Sequence, residues 1–115
     1  MLSAAHRLRA RADFTEVVRR GRRSSGALVT VHLLLDPAEL GPARAGLVVS
    51  KAVGGSVVRH RLARQLRHLL RDLVPALPPG SRLVVRASPA AATGGSPALA
   101  TDLASALARL TRDRS

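Results

Sequence analysis

The chain has 115 residues, no cysteine, and 19 Lys+Arg against 7 Asp+Glu, a formal net charge of +12. That length fits one domain with a single core, and the absence of cysteine excludes disulfides and thiolate metal sites, a usage that fits the cytoplasm. So large a basic excess calls for a polyanion, nucleic acid first and an anionic membrane surface second, while the longest apolar run, Ala27 to Leu35, is broken by Thr30 and His32 and falls short of a membrane span.

Residues 1–12, MLSAAHRLRARA, are acid-free and superficially like a mitochondrial presequence, but they run straight into a helix without a Ser-rich cleavable stretch. They read as a mobile basic arm whose Arg7, Arg9 and Arg11 touch phosphates. Asp13-Phe14-Thr15-Glu16 has capping-box spacing. A short helix should follow, with Phe14, Val17 and Val18 at i, i+3, i+4 and Gly21 as its C′ residue. Phe14 is the only aromatic in the chain, and both core packing and a ligand-facing role are open to it.

Ala27 to Leu35 reads as a strand and, after a turn with two prolines and a glycine, Arg44 to Ser50 as a second, expected to pair antiparallel with the first. Lys51, the single lysine, then falls at a strand-to-helix junction beside the Gly54 to Ser56 amides, where a helix N-terminus offers a phosphate site. These glycines do not form a nucleotide-binding Walker pattern.

The next helix starts at a Ser56 cap and stops at Pro75. Val58, Leu62, Leu66, Leu69, Leu70 and Leu73 share one arc of its wheel, and His60, Arg61, Arg64, Arg67, His68 and Arg71 the other. Arg59 falls near the apolar arc and should lean out past the helix end. A solvated helix usually interleaves Glu with Lys or Arg at i,i+4. Here the pairs are like-charged, and no acid occurs between Glu39 and Asp72, so the face repels itself until a polyanion relieves it.

Pro78-Pro79-Gly80 introduces a third strand, Arg82 to Ala87. Ser96-Pro97 then opens a last helix with Leu99, Leu103, Ala106, Leu107 and Leu110 in one stripe. The expected fold is an α+β sandwich of helices against a small sheet, in the order α-β-β-α-β-α, forming a single domain over residues 1–115.

Catalytic chemistry finds no constellation. The seven acids are scattered, His60 and His68 lie two helical turns apart rather than at the i,i+4 spacing of a shared metal, and Ser24, Ser25 and Ser50 have no base that sequence can place beside them. No catalytic residue and no metal ligand is assigned on this chain.

The run SKAVGGSVVRHRLARQLR, Ser50 to Arg67, resembles the signature of the bacterial ribonuclease P protein subunit, roughly S-K-K-V-G-N-A-V-x-R-N-R-x-K-R-x-x-R. Arg7 to Gly21 is similar to that family's opening helix, and Leu77 to Ala87 to the segment through its last strand. The resemblance implies a fold like domain 2 of ribosomal protein S5, with a left-handed crossover. It also implies a role as RNA-binding cofactor to a catalytic RNA that removes the 5′ leader of precursor tRNA in the cytoplasm.

By that resemblance Lys51, Arg59, His60, Arg61, Arg64, Arg67 and Arg71 contact the catalytic RNA, and Arg11, Phe14, Val18 and Val31 line a cleft for the leader. Mg²⁺ is implied to enter through the RNA rather than to be held strongly by the protein. Departures from the pattern are His60 and Gly55 for Asn, Ala52 and Ala63 for basic residues, and Val18 and Val31 for cleft aromatics, so base stacking is largely missing and leader binding should lean on phosphate contacts and on Phe14. A structural ribosomal RNA-binding protein of similar fold is the alternative. A membrane-surface binder would need the Leu62/Leu66/Leu73 stripe exposed, and no recognition-helix motif supports duplex DNA.

Overall fold

The computed structural model describes residues 4–112. Its elements are α1 (Arg11–Arg20), β1 (Arg22–Ser25), β2 (Val29–Leu35), β3 (Arg44–Val48), α2 (Ser56–Leu73), β4 (Ser81–Ala87) and α3 (Gly95–Arg112), with short 3-10 turns at Ala4–His6, Val74–Ala76 and Pro89–Thr93. The strands form one sheet in the order β1-β2-β4-β3, antiparallel except for the parallel β3–β4 pair.

Because side chains alternate across a strand, the register sorts the sheet into two faces. One carries Val29, Val31, Leu33, Ala45, Leu83 and Val85, which join Leu62, Leu66 and Leu70 of α2 and Leu99, Leu103 and Leu110 of α3 in the main core. The other carries three cross-strand rows: Ser25–Thr30–Arg86–Val48, Arg23–His32–Val84–Gly46, and Leu34–Arg82–Arg44. The α1 helix packs here through Val17, against Leu34 and Val84 in a second, smaller core.

The apolar stripes of α2 and α3 are buried where the periodicity placed them. Pairing differs from expectation. β2 and β3 do not meet; β4 lies between them, antiparallel to the first and parallel to the second, so that α2 is a crossover. The reason is that Leu83-Val84-Val85 is apolar on both faces and fully buried, which suits an interior strand and not an edge.

The fold also gains β1, whose Arg-Arg-Ser-Ser carries little strand propensity and pairs only with β2. Charged residues on an exposed edge of this kind discourage pairing with other chains.

Four local expectations change as well. The arm docks where it is described: the Leu8 amide donates to the Ala45 carbonyl at 2.8 Å, Arg7 forms a parallel bridge with Ala45, and Leu8 is buried. Residues 1–3 lie outside the described residues. The α1 helix begins at Arg11 with no side-chain cap, because Asp13 and Glu16 turn to Arg82 instead of to the backbone. Gly21 is extended rather than left-handed, and it is needed for close approach: a Cβ there would collide with the carbonyls of Val17 and Leu33. Likewise Gly55, not Ser56, occupies the N-cap of α2, with no side-chain cap bond.

Candidate nucleic-acid interface

Burial of the Leu62/Leu66/Leu70 stripe against the sheet turns the opposite arc of α2 to solvent. His60, Arg61, Arg64, His68 and Arg71 are exposed along it, Arg67 is half-buried, and exposed Lys51 stands in the turn before the helix. Two of the motif arginines are tethered. Arg59 leans back past the helix end and donates through Nε to the Gly54 carbonyl at 3.2 Å, and Arg61 donates to the Ala92 carbonyl at 3.2 Å, joining α2 to the turn before α3.

Arg71 lies 3.7 Å from Asp72, both of them exposed, a pairing worth little in water. Lys51, His60, Arg64 and Arg67 make no side-chain hydrogen bond or ion pair among the described residues. The charge of Lys51, Arg64 and Arg67 is therefore available to a partner. Val57 sits among them 80 % exposed, an apolar patch within a basic surface. Beside it a groove lined by Arg61, Arg64, Gln65, His68, Leu69 and Ser96 runs between α2 and the start of α3, where Gln65 donates to the Ser96 hydroxyl.

The second surface is the α1 side of the sheet. Arg82 is 3 % exposed in its side chain, and its guanidinium reaches Asp13 at 3.1 Å and Glu16 at 2.6 Å, pinning α1 over the third row. The Arg82 hydrogen bond, reinforced by Arg20, holds the Glu16 carboxyl below the usual carboxylate range. Phe14 lies against Gly46, where any Cβ would strike the ring, and Val18 is partly buried beside it. The row of Ser25, Thr30, Arg86 and Val48 stays open, with the Thr30 hydroxyl donating to that of Ser25 at 3.3 Å.

Of the expected cleft residues, Phe14 and Val18 are on this face, and Arg11 is on the exposed flank of α1 with Thr15 and Arg19. Val31 is not. It is fully buried in the α2/α3 core on the far side of the sheet, because strand alternation sends it opposite to its neighbours. His32, one residue on, takes that place, with Arg23 and Arg86 around it. The period of two that carries this assignment was present in the sequence, but which parity faced α1 was not.

Two predictions arise here. Replacing Gly46 by Val should displace Phe14 and lift α1, costing about 1–3 kcal/mol as overpacking does, visible as a lower urea midpoint together with weaker binding of single-stranded RNA.

The second concerns pH. Burial, then the charges of Arg86 and Arg23, hold His32 below the ordinary histidine value of 6.5. Below that value the unfolded chain takes up this proton more readily than the folded one, so stability falls as pH drops from 6.5 toward the depressed folded value. Glu16 adds a second loss below 4.5, since a lowered carboxylate contributes stability only while it is ionised. Melting temperatures across this range should show both limbs, the first disappearing in His32→Phe and the second in Glu16→Gln.

A small α+β sheet protein with a basic helix face on one side and a basic, partly apolar sheet face on the other belongs by its surfaces to the class of nucleic-acid-binding proteins. Comparison with known proteins specifies it further. The ribonuclease P family model matches residues 2–111. The ribonuclease P protein components of Streptomyces avermitilis and of a Nocardioides species are 54 % and 51 % identical, each match covering 96 % of this chain and 95 % of the relative. Solved structures of ribonuclease P proteins share the fold: that of Staphylococcus aureus with a TM-score of 0.75 at 21 % identity, covering 90 % of this chain and 93 % of that one, and that of Thermotoga maritima with 0.74 at 24 %, covering 92 % and 98 %.

The chain belongs to the ribonuclease P protein family. Members of that family are protein components of the endoribonuclease that matures the 5′ ends of tRNA, and nothing in these matches favours the ribosomal alternative.

Proposed function

We propose that this chain binds the ribonuclease P RNA through the outer face of α2 and holds the 5′ leader of precursor tRNA on the sheet face beside α1, in the cytoplasm. The observation that supports this most is the set of cations on and before α2, Lys51, Arg64 and Arg67, that have no side-chain partner among the described residues, with His60 beside them. Such charges destabilise an isolated helix and gain affinity by displacing counterions from RNA phosphates. Burial of Leu62 and Leu66 argues against the membrane-surface reading, which needs that stripe outside. No element here offers a recognition helix for duplex DNA.

In this reading the protein acts by electrostatics and geometry. It lowers the repulsion between two RNAs brought together and keeps a single strand in place, while the RNA performs hydrolysis and binds the Mg²⁺ that hydrolysis uses. Among the described residues no three potential ligands cluster as a divalent site would need: Asp13 and Glu16 are engaged by Arg82, and Asp102 accepts the Leu28 and Val29 amides at 3.0 and 2.9 Å. The test is cleavage of a precursor tRNA by ribonuclease P RNA at low Mg²⁺, with and without this protein. Strong stimulation is the expected result. Tight RNA binding without stimulation would refute the subunit role.

A further inference from the structure

At the middle of the open sheet face lies a group that packing alone does not explain. His32 is 6 % exposed, and its Nδ1 is enclosed without a hydrogen-bond partner. Leaving a buried polar atom unpaired is costly, and most such atoms in folded proteins find a partner.

The charged groups around it are cations. Arg23 stands directly opposite on β1, and Arg86 is one diagonal away across β4, about 7–8 Å by sheet geometry. Both are exposed, and neither is engaged in a hydrogen bond or ion pair among the described residues. The remaining neighbours on this face add no acid that could serve His32. Val84 faces it from β4, α1 brings Val17 and Val18, and Arg82 in the next row already holds Asp13 and Glu16, with Asp36 at 4.0 Å from it and Arg44 beyond it on β3. Arg11 and Arg19 lie on the outer flank of α1, and Arg20 is tied to Glu16.

We infer that His32 is a proton-linked contact for the phosphodiester backbone of single-stranded RNA, which seats between Arg23 and Arg86 and binds more tightly when the imidazole is protonated. The inference rests on the sheet-face reading given under Proposed function. Without an anion, a third positive charge on this face would be poorly solvated and would carry an N–H with no acceptor. A phosphate supplies the opposing charge and an acceptor for Nε2, the ring nitrogen that is not enclosed, while Nδ1 stays out of its reach. By linkage, a ligand that favours the protonated form is itself bound more tightly by that form. The proton stays on the imidazole, and no bond is made or broken.

The probe is an oligouridylate of about ten nucleotides, long enough to cross such a face. In the wild-type protein the His32 titration, followed through its imidazole carbon-bound protons, should move to higher pH when the oligonucleotide is saturating. Affinity at constant ionic strength should tighten about three- to tenfold from about pH 7.5 to about pH 6, one proton allowing at most about tenfold per unit. His32→Gln should abolish this tightening, whereas replacing His6 by Gln should leave it in place.

A His32 titration that the oligonucleotide does not move overturns the inference, whether or not His32→Gln folds. So does a pH slope that persists in a folded His32→Gln protein. The face itself is tested separately by Arg23→Ala with Arg86→Ala. Unchanged affinity at every pH would remove RNA from this surface and the inference with it. Weakened affinity alongside an unmoved His32 titration would sink the proton linkage alone.

Discussion

The double variant Arg64→Ala/Arg67→Ala should fold like its parent and bind ribonuclease P RNA about 20-fold more weakly near 0.15 M salt, with the slope of log affinity against log salt shallower by about 1.4–1.8. The effect is large because neither arginine is engaged by another side chain or carbonyl among the described residues, so the whole of each charge is available to phosphate. Stability should hold or rise slightly, since the substitutions remove like-charge repulsion along α2 and leave Leu62, Leu66 and Leu70 untouched.

Arg59→Ala and Arg61→Ala should behave differently, losing the bonds to the Gly54 and Ala92 carbonyls as well as affinity. Filter binding at several salt concentrations, paired with thermal melts, separates the two cases. An unchanged slope in the Arg64/Arg67 variant would mean that RNA does not lie along α2.

Arg82→Ala should cost about 2–4 kcal/mol of stability. Breaking a buried ion pair from one side commonly costs about 3–5 kcal/mol; here Asp13 and Glu16 are partly exposed and can turn to water, which softens the loss. Because those two contacts pin α1 to the sheet, the damage should fall on one face. Binding of a single-stranded oligonucleotide beside α1 should drop, while binding of the catalytic RNA persists, since α2 packs with α3 on the opposite face in a separate core.

Arg82→Met should recover part of the stability through apolar burial, but not the position of α1. Urea unfolding and the two binding assays report the three quantities. Equal losses of both RNA affinities would show that the faces are not independent.

Much of this was legible in the residues. The arcs of α2 and the stripe of α3 follow directly from the 3.6-residue period, because one helix packs one face and its side chains cannot choose another. Net charge and the absence of acids between Glu39 and Asp72 pointed to a polyanion, and the Ser50 to Arg67 run pointed to the family. These are local properties. A helix wheel or a charge count depends on neighbours in the chain, and folding does not rearrange them.

What the chain could not say locally is which strands lie side by side and which parity of each strand faces which helix. That β4 separates β2 from β3, that Val31 belongs to the main core and His32 to the α1 face, and that Asp13 and Glu16 serve Arg82 rather than the helix start are all settled by contacts between segments that are not neighbours in the chain, as Asp13 and Arg82 are 69 residues apart. The edge strand β1 is another such case, because Arg-Arg-Ser-Ser is extended only through its pairing with β2. The sequence by itself determined the excess of positive charge and the basic outer arc of α2. Only the tertiary structure decided the second face, because a strand of period two presents both of its sides equally until something packs against one of them.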